Sequence, residues 1–366
     1  MTSELSSLCS YAKGKVSVDT LSKRNYVSTE NMMPNKGGIV DAGALPSAQY
    51  TQQYIKDDIL VSNIRPYFKK IWMADDDGGC SNDVLVFRAD RGCDSTFLYY
   101  ILANDAFFNY ASATSKGTKM PRGDKTAIMQ YKVPCFNYET QLRIGKLLRS
   151  IDDRIAVNKK INDNLQQQLF SLYENMATAS PCLKEYTLSN LCDFQEGYVN
   201  PPQTHPEYFD GEVKWLRAVD INESFIIETS RTLTKAGFES AKKSALLFEP
   251  NTIAISKSGT IGRLGIIADY MCGNRAVINI APHDTNMLAF IYCFLKSKQR
   301  EFPDMAVGSV QKNLYVSLLE LLSVSIPDNE SLTAFNAVGA SILGMIHNNC
   351  VEKTLDRHRS NIFNAG

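Results

Sequence analysis

Apolar residues along this chain fall into two rhythms, one of helical period and one of short buried runs. The helical rhythm occurs after Pro134, at Ile144, Leu148, Ile151, Ile155, Ile161, Leu165, Leu169, Leu172 and Met176. It returns near the carboxyl terminus at Phe335, Val338, Ile342, Ile346, Val351, Leu355 and Ile362. Steps of mostly three and four place each set on one helix face. Asn137 and Glu139 suit the first turn of the earlier helix, as Asp328, Asn329 and Glu330 suit that of the later one, because side-chain oxygens and negative charge satisfy unpaired N–H groups. Pro181 marks the end of the earlier helix. From Glu139 to Met176 it would span about 57 Å at 1.5 Å per residue.

Seams of this kind serve either the cores of their own domains or each other. We read the two helices as packing on each other, antiparallel in the manner of a coiled coil. Asn158 and Asn349 interrupt the seams at equivalent places, where a polar residue fixes register at some cost in stability.

The second rhythm lies in residues 58–74 and 252–268, which both read as strand, Gly/Pro-rich turn, strand. These stretches also resemble each other, at an offset of 194. Residues 81–87 parallel 274–280, and 97–102 parallel 290–295 as a short apolar helix, both at 193. Near the start Leu5, Leu8 and Cys9 return as Leu188, Leu191 and Cys192, while Val133-Pro134 and Ile326-Pro327 close the two modules. Order and spacing are kept throughout, so the chain is an internal tandem repeat. The expected fold is α+β: a globular head over 1–137, a helix over 138–180, a second head over 181–328 and a second helix over 329–366.

Composition narrows what such a molecule does. A chain of 366 residues suits two or three domains, and no stretch approaches the ~20 apolar residues of a membrane span. Without a signal-like amino terminus, a soluble cytoplasmic protein is expected. The nine cysteines are scattered without a Cys-x-x-Cys pair and read as reduced, mostly buried thiols.

With 39 basic and 39 acidic residues the net charge is zero, so any case for a polyanionic partner is local. In the first head Lys116, Lys119, Arg122, Lys125 and Lys132 oppose only Asp124, and Arg65, Lys69 and Lys70 surround Tyr67 and Phe68. With Asn63, these are candidates for phosphates and base edges. The second head holds 14 basic and 17 acidic residues over 183–328, a net −3, and would bind DNA weakly by charge alone. Its candidates are Arg217, Lys257, Ser258, Arg263, Arg275, Gln311, Lys312 and Asn313. Two like heads on paired helices match the geometry of DNA-binding dimers.

The second module carries Gly197 to Pro201, Glu207 to Gly211, Val213 to Ile221 and Gly308 to Asn313, which together resemble the target recognition domains of type I restriction-modification specificity subunits. Tyr26 to Met32 with Gly37 and Gly38 is similar to another variety of that domain, and Gly117 to Arg122 stands where Gly308 to Asn313 stands. The resemblance covers essentially the whole chain. It implies that each recognition domain reads one part of a split double-stranded DNA target and that the helices set the gap. It further implies docking of two modification (methyltransferase) subunits and, in the full complex, of restriction (nuclease-translocase) subunits. S-adenosylmethionine, ATP and Mg²⁺ would belong to those partners, with no cofactor in this chain. Since the two heads differ in charge and motif, two unlike half-sites are expected.

Intrinsic chemistry has little to stand on. Asn200-Pro201-Pro202 is followed by Gln203 where a DNA methyltransferase has an aromatic ring for the flipped base, and no glycine-rich strand-to-helix turn precedes it. Glu212 and Lys214 lack the convergent carboxylates of a Mg²⁺ site. The histidines at 205, 283, 347 and 358 lack ligand spacing, and no Walker-type loop occurs. The chain therefore reads as non-catalytic, the alternative to DNA reading being an interaction scaffold that dimerises through its helices.

Overall fold

Alternation along the central strands explains why short apolar runs sit deepest. The computed structural model describes residues 2–179, 184–308 and 312–365, with side chains described through residue 356. In the first head an antiparallel sheet runs in the order Cys9–Tyr11, Val84–Ala89, Ile59–Ser62, Ile71–Met73. Ile59, Val61, Leu85 and Phe87 join a core with Phe97, Leu98, Phe107 and Phe108 of the helices Ser95–Ala103 and Asp105–Ala113. Leu60, Val84 and Val86 join another, with Val27, Tyr54 and Cys80 of a second four-stranded sheet. A period of two sends neighbours to opposite faces, so a strand covered on both sides is apolar throughout.

The second head repeats this plan in its pairing. Its sheet runs Cys192–Glu196, Val277–Pro282, Ile253–Ser256, Leu264–Ile267, with Phe225–Ile226 added in parallel at the edge. Ile253 and Ile255 face the helix Leu288–Lys298, and Ala254 faces Phe248 and Met271. The parallel step Tyr26↔Gly79 and Val27↔Cys80 recurs as Trp215↔Cys272 and Leu216↔Gly273. Each head is closed by a two-stranded pair that ties its ends: Thr2–Glu4 with Lys132–Pro134, and Lys184–Thr187 with Ser323–Ile326. The mixed α+β content and the repeat are as the sequence indicates.

The long helices are Tyr138–Ala179 and Asn329–Ala365. Asn137 Oδ1 accepts the Thr140 N–H at 2.9 Å and Asp328 Oδ1 that of Ser331 at 2.8 Å, which caps both starts. Pro181 lies outside the described residues, as do the side chains of His358 and Ile362. The chain divides into two compact units, Met1–Asp153 with Arg359–Gly366, and Arg154–His358, so each long helix is shared between them.

The described contacts of the two seams differ along the helices. In the first unit the opening turns of the helix dock on their own head. Gln141 Oε1 accepts the Asp94 N–H at 3.1 Å, Ile144 packs on the sheet's core, and Tyr100 donates to Asp152 at 2.7 Å. Leu148 and Ile151 are buried. In the second unit contacts between the two helices run antiparallel. Arg154 forms an ion pair with Asp356, Asn158 donates to Glu352 at 3.3 Å, and Asn349 donates to Asn162 at 2.8 Å. Leu169 and Tyr173 then join Phe335, Ile342, Leu343 and Ile346 in the core of the second head itself, with Leu165 packed beside them. Ile155 is half-buried, whereas Leu172, Val338 and Leu355, read as seam residues, are exposed.

Candidate nucleic-acid interface

Four segments meet at equivalent places in the two heads, held together by backbone hydrogen bonds. In the second head the Asn274 N–H donates to the Leu216 carbonyl at 3.0 Å, Lys257 to Ala276 at 2.7 Å and Leu314 to Lys257 at 2.9 Å. In the first, Ser81 donates to Val27 at 2.8 Å, Asn63 to Asp83 at 2.8 Å and Gly123 to Asn63 at 3.1 Å. The loop that leads into Gly123 or Leu314 is closed by reciprocal bonds in both heads, Lys116 with Arg122 at 2.9 Å and Val307 with Asn313 at 3.0 Å. Backbone donors and acceptors must be paired whatever side chain they carry, so this frame persists where the sequences diverge.

The frame gathers most of the candidates of the first head. Asn63 lies buried beneath the loop, its Oδ1 without a partner among the described residues. Arg65 donates its N–H to the Pro121 carbonyl at 2.8 Å and so joins the turn to the loop that bears Lys119 and Arg122. Most of the cations are already engaged: Lys69 with Asp105 at 2.9 Å, Lys116 with Asp124 at 2.5 Å and Arg122 with Asp83 at 3.0 Å. Lys70 donates to the Thr29 carbonyl at 2.6 Å, and burial pulls its pKa below the usual lysine value. Arg65 and Lys119 are exposed and carry no ion pair among the described residues. Lys125 lies 6.0 Å from the Tyr11 ring, while Lys132 pairs with Glu4 at the closing strands.

In the second head Lys257 is the counterpart of Asn63. Its ammonium is bound to Glu196 at 2.8 Å, lies 5.3 Å from the Tyr315 ring and is only 14% exposed, which makes it a structural cation. Arg217 stacks over Trp215 at 5.5 Å and donates to Ser230 at 2.6 Å. Ser258 is half-buried; Arg263, Arg275 and Lys312 are exposed without an ion pair among the described residues, and Asn313 closes the loop through its backbone. Gln311 lies outside the described residues.

Lys36 was missed in the sequence. Its N–H donates to the Lys69 carbonyl and that of Asn35 to the Phe68 carbonyl, both at 2.8 Å, and its ammonium shares Asp105 with Lys69 at 2.8 Å. Hydrogen bonding from Lys36 first, then from Lys69, holds the Asp105 carboxyl below the ordinary aspartate range. The available signal was the turn chemistry of Pro34 to Gly38. Asn35, Lys36, Arg65 and Lys69 all adopt positive φ, 50–62°, a backbone state that costs of order 1–3 kcal/mol per non-glycine residue and gathers at binding sites. The corresponding turn of the second head places Gly259 and Gly262 at positive φ instead.

The motifs weighed for chemistry are engaged elsewhere. Gln203 accepts from Arg231 at 2.8 Å, and Lys214 is paired with Asp269 at 2.7 Å. His205 meets Glu207 at 2.7 Å, His283 meets Asp193 at 3.2 Å, and His347 packs edge-on against Phe225. Among the described residues no three His, Cys, Asp or Glu side chains converge as metal ligands, and no helix is long and apolar enough to cross a membrane.

Comparison with known proteins gives a consistent picture. The family model described as the type I restriction modification DNA specificity domain matches twice, over residues 1–167 and 183–350. The chain is 24% identical over 152 residues to the type I restriction enzyme MjaIX specificity subunit of Methanocaldococcus jannaschii, and 24% identical over 156 residues to the HindI specificity subunit of Haemophilus influenzae. Those matches span 40% and 42% of this chain but 35% and 34% of the relatives' length, about a third. The crystal structure of a type I restriction-modification system S subunit from M. genitalium aligns over 100% of this chain and 94% of its own, at 17% identity and a TM-score of 0.60, and so shares the fold.

Proposed function

Because the chain belongs to the type I restriction modification DNA specificity family, carrying its domain twice, we propose that each head reads one half of a split, asymmetric DNA target. The observation that carries this reading is the shared frame of four hydrogen-bonded segments bearing different side chains. Two copies of one scaffold approach DNA in the same way, and unlike side chains at equivalent positions read unlike bases. Arg65, Lys119 and Arg122 serve the first half-site; Arg263, Arg275 and Lys312 serve the second.

The chain itself neutralises few phosphates, because so many of its cations are internally paired. Modification subunits docked on it supply the remaining positive charge and the methyl transfer, and restriction subunits join in the full complex. A shallow salt dependence of DNA binding by the isolated chain and a much steeper one for the complex are expected. The long helices set the gap between the half-sites. Removing seven residues from the central helix keeps its face in phase and shortens it by about 10 Å, so the recognised gap should shrink while both half-sites persist.

The test is enrichment from a random duplex library by the chain with its modification subunit. Two short, unlike sequences at a constant gap support the proposal. Failure to enrich any sequence with the partner present contradicts it.

A further inference from the structure

The turn between the central strands of the first head exposes aromatic surface where its counterpart exposes none. Tyr67 and Phe68 are 51% and 39% exposed, with ring centroids 4.8 Å apart. The second head's turn is one residue shorter, since Ile255 pairs with Leu264 as Val61 pairs with Ile71. It holds Ser258, Gly259 and Thr260, and its one large apolar residue, Ile261, packs against the core.

The aromatic turn is pinned rather than loose. Pro66 is buried and fixes its own φ, and Arg65 and Lys69 on either side adopt positive φ. The carbonyls of Phe68 and Lys69 are held by Asn35 and Lys36, and the N–H of Arg65 is held by Pro121. Asp105 ties Lys69 to Lys36, and the Lys70 ammonium lies 5.9 Å from the Phe68 ring. Two rings held in water by a pinned turn with several residues at positive φ, among cations, suit a partner that is apolar inside and anionic outside. Duplex DNA meets both needs, with stacked base faces behind a phosphate rim.

We propose that Tyr67 and Phe68 form a wedge that enters the base stack of the first half-site and unstacks one step, whereas the second head reads its half without a wedge. This rests on the reading of the heads as DNA-recognition domains. Arg65, exposed beside the turn and without an ion pair among the described residues, holds a flanking phosphate, and the rings replace the stacking that is lost. The first half-site should therefore contain an easily unstacked pyrimidine–purine step, read by deformability and not by hydrogen bonds.

The experiment uses the complex with its modification subunits on the enriched duplex, with 2-aminopurine placed at each step in turn. The wild-type complex should give a fluorescence rise at one step of the first half-site. In Tyr67→Ala/Phe68→Ala that rise should vanish, with affinity reduced about 10- to 100-fold by lost stacking. Phe68→Leu should retain the rise, since an aliphatic wedge also unstacks bases. Unchanged fluorescence in the double variant, or no rise at any step of the first half-site in wild type, overturns the wedge while discrimination of the target duplex leaves the recognition reading intact. A wild-type complex that prefers no duplex overturns both. Because both rings are exposed, unfolding of the double variant would show as lost circular dichroism, and Tyr67→Leu/Phe68→Leu, which should fold and keep the rise, then decides the question.

Discussion

The two heads share a hydrogen-bonded frame and differ in what stands on it. In the first, the turn between the central strands is built from Arg65, Pro66, Tyr67, Phe68 and Lys69, and two of these occupy positive φ without being glycine. In the second, the same place is filled by a glycine-bearing turn whose entry lysine is locked onto Glu196. Charge differs as well: residues 1–137 hold 16 basic and 14 acidic side chains, against 14 and 17 over 183–328. The frame depends on backbone groups and survives divergence; the readout depends on side chains and does not. On the proposed reading, a duplicated scaffold would recognise two unrelated half-sites without changing how it folds.

Substitutions at matched positions should break this comparison in graded ways. The largest effect is expected in the cores, where Phe87 and Ile280 are counterparts and both fully buried. Phe87→Ala should cost about 3–5 kcal/mol and Ile280→Ala about 2–5 kcal/mol. Calorimetry should show the loss, with DNA footprints fading over one half-site only. Next come the glycines. A Cβ at Gly197 would lie 2.2 Å from the Asn274 carbonyl oxygen, whereas one at Gly14 would lie 3.1 Å from the flexible end of Gln53. Gly197→Ala should lower the melting temperature more than Gly14→Ala, even though Gly14 has positive φ.

Lysines sharpen the contrast further. Lys257→Ala leaves the mostly buried Glu196 with only the Tyr198 hydroxyl as a donor among its described hydrogen bonds and should cost about 1.5–3 kcal/mol of stability in chemical denaturation. Lys119→Ala should leave stability unchanged and weaken binding through the first half-site alone, as a footprint would show. The smallest effect is electrostatic. The pKa of Asp105 is depressed by Lys36 and Lys69, so its contribution is present above the unfolded aspartate pKa and is lost as pH falls through the lower folded value. The pair is exposed and worth roughly 0–1 kcal/mol. Asp105→Asn should remove that acid sensitivity and tighten non-specific DNA binding at low salt by freeing two lysines, as a filter-binding titration would show.

The repeat was legible because it lies in buried strands, where Ile59, Leu60 and Val61 leave few alternatives to burial on both faces. Helix starts were legible from Asn137 and Asp328, whose oxygens do one local job. The partition of the long helices was not. Periodicity shows that Leu148 and Leu169 share a face but not what that face meets, and each is buried in a different unit. At the interface, proximity in sequence found Arg65 through Lys70 but not Lys36, which reaches them through hydrogen bonds across more than 30 positions of chain. Nor could composition show that Lys69, Lys116 and Lys257 are already paired, since ion pairs form between segments brought together only by folding.

The central claim, that two like frames read two unlike half-sites independently, is tested most directly by repeating the duplex enrichment with one head altered at a time. Lys119→Ala with Arg122→Ala should change the sequence recovered on one side of the gap, and Lys312→Ala with Asn313→Ala the other, with the gap constant in both. Recovery of a palindrome, or equal loss on both sides from either pair, would contradict it.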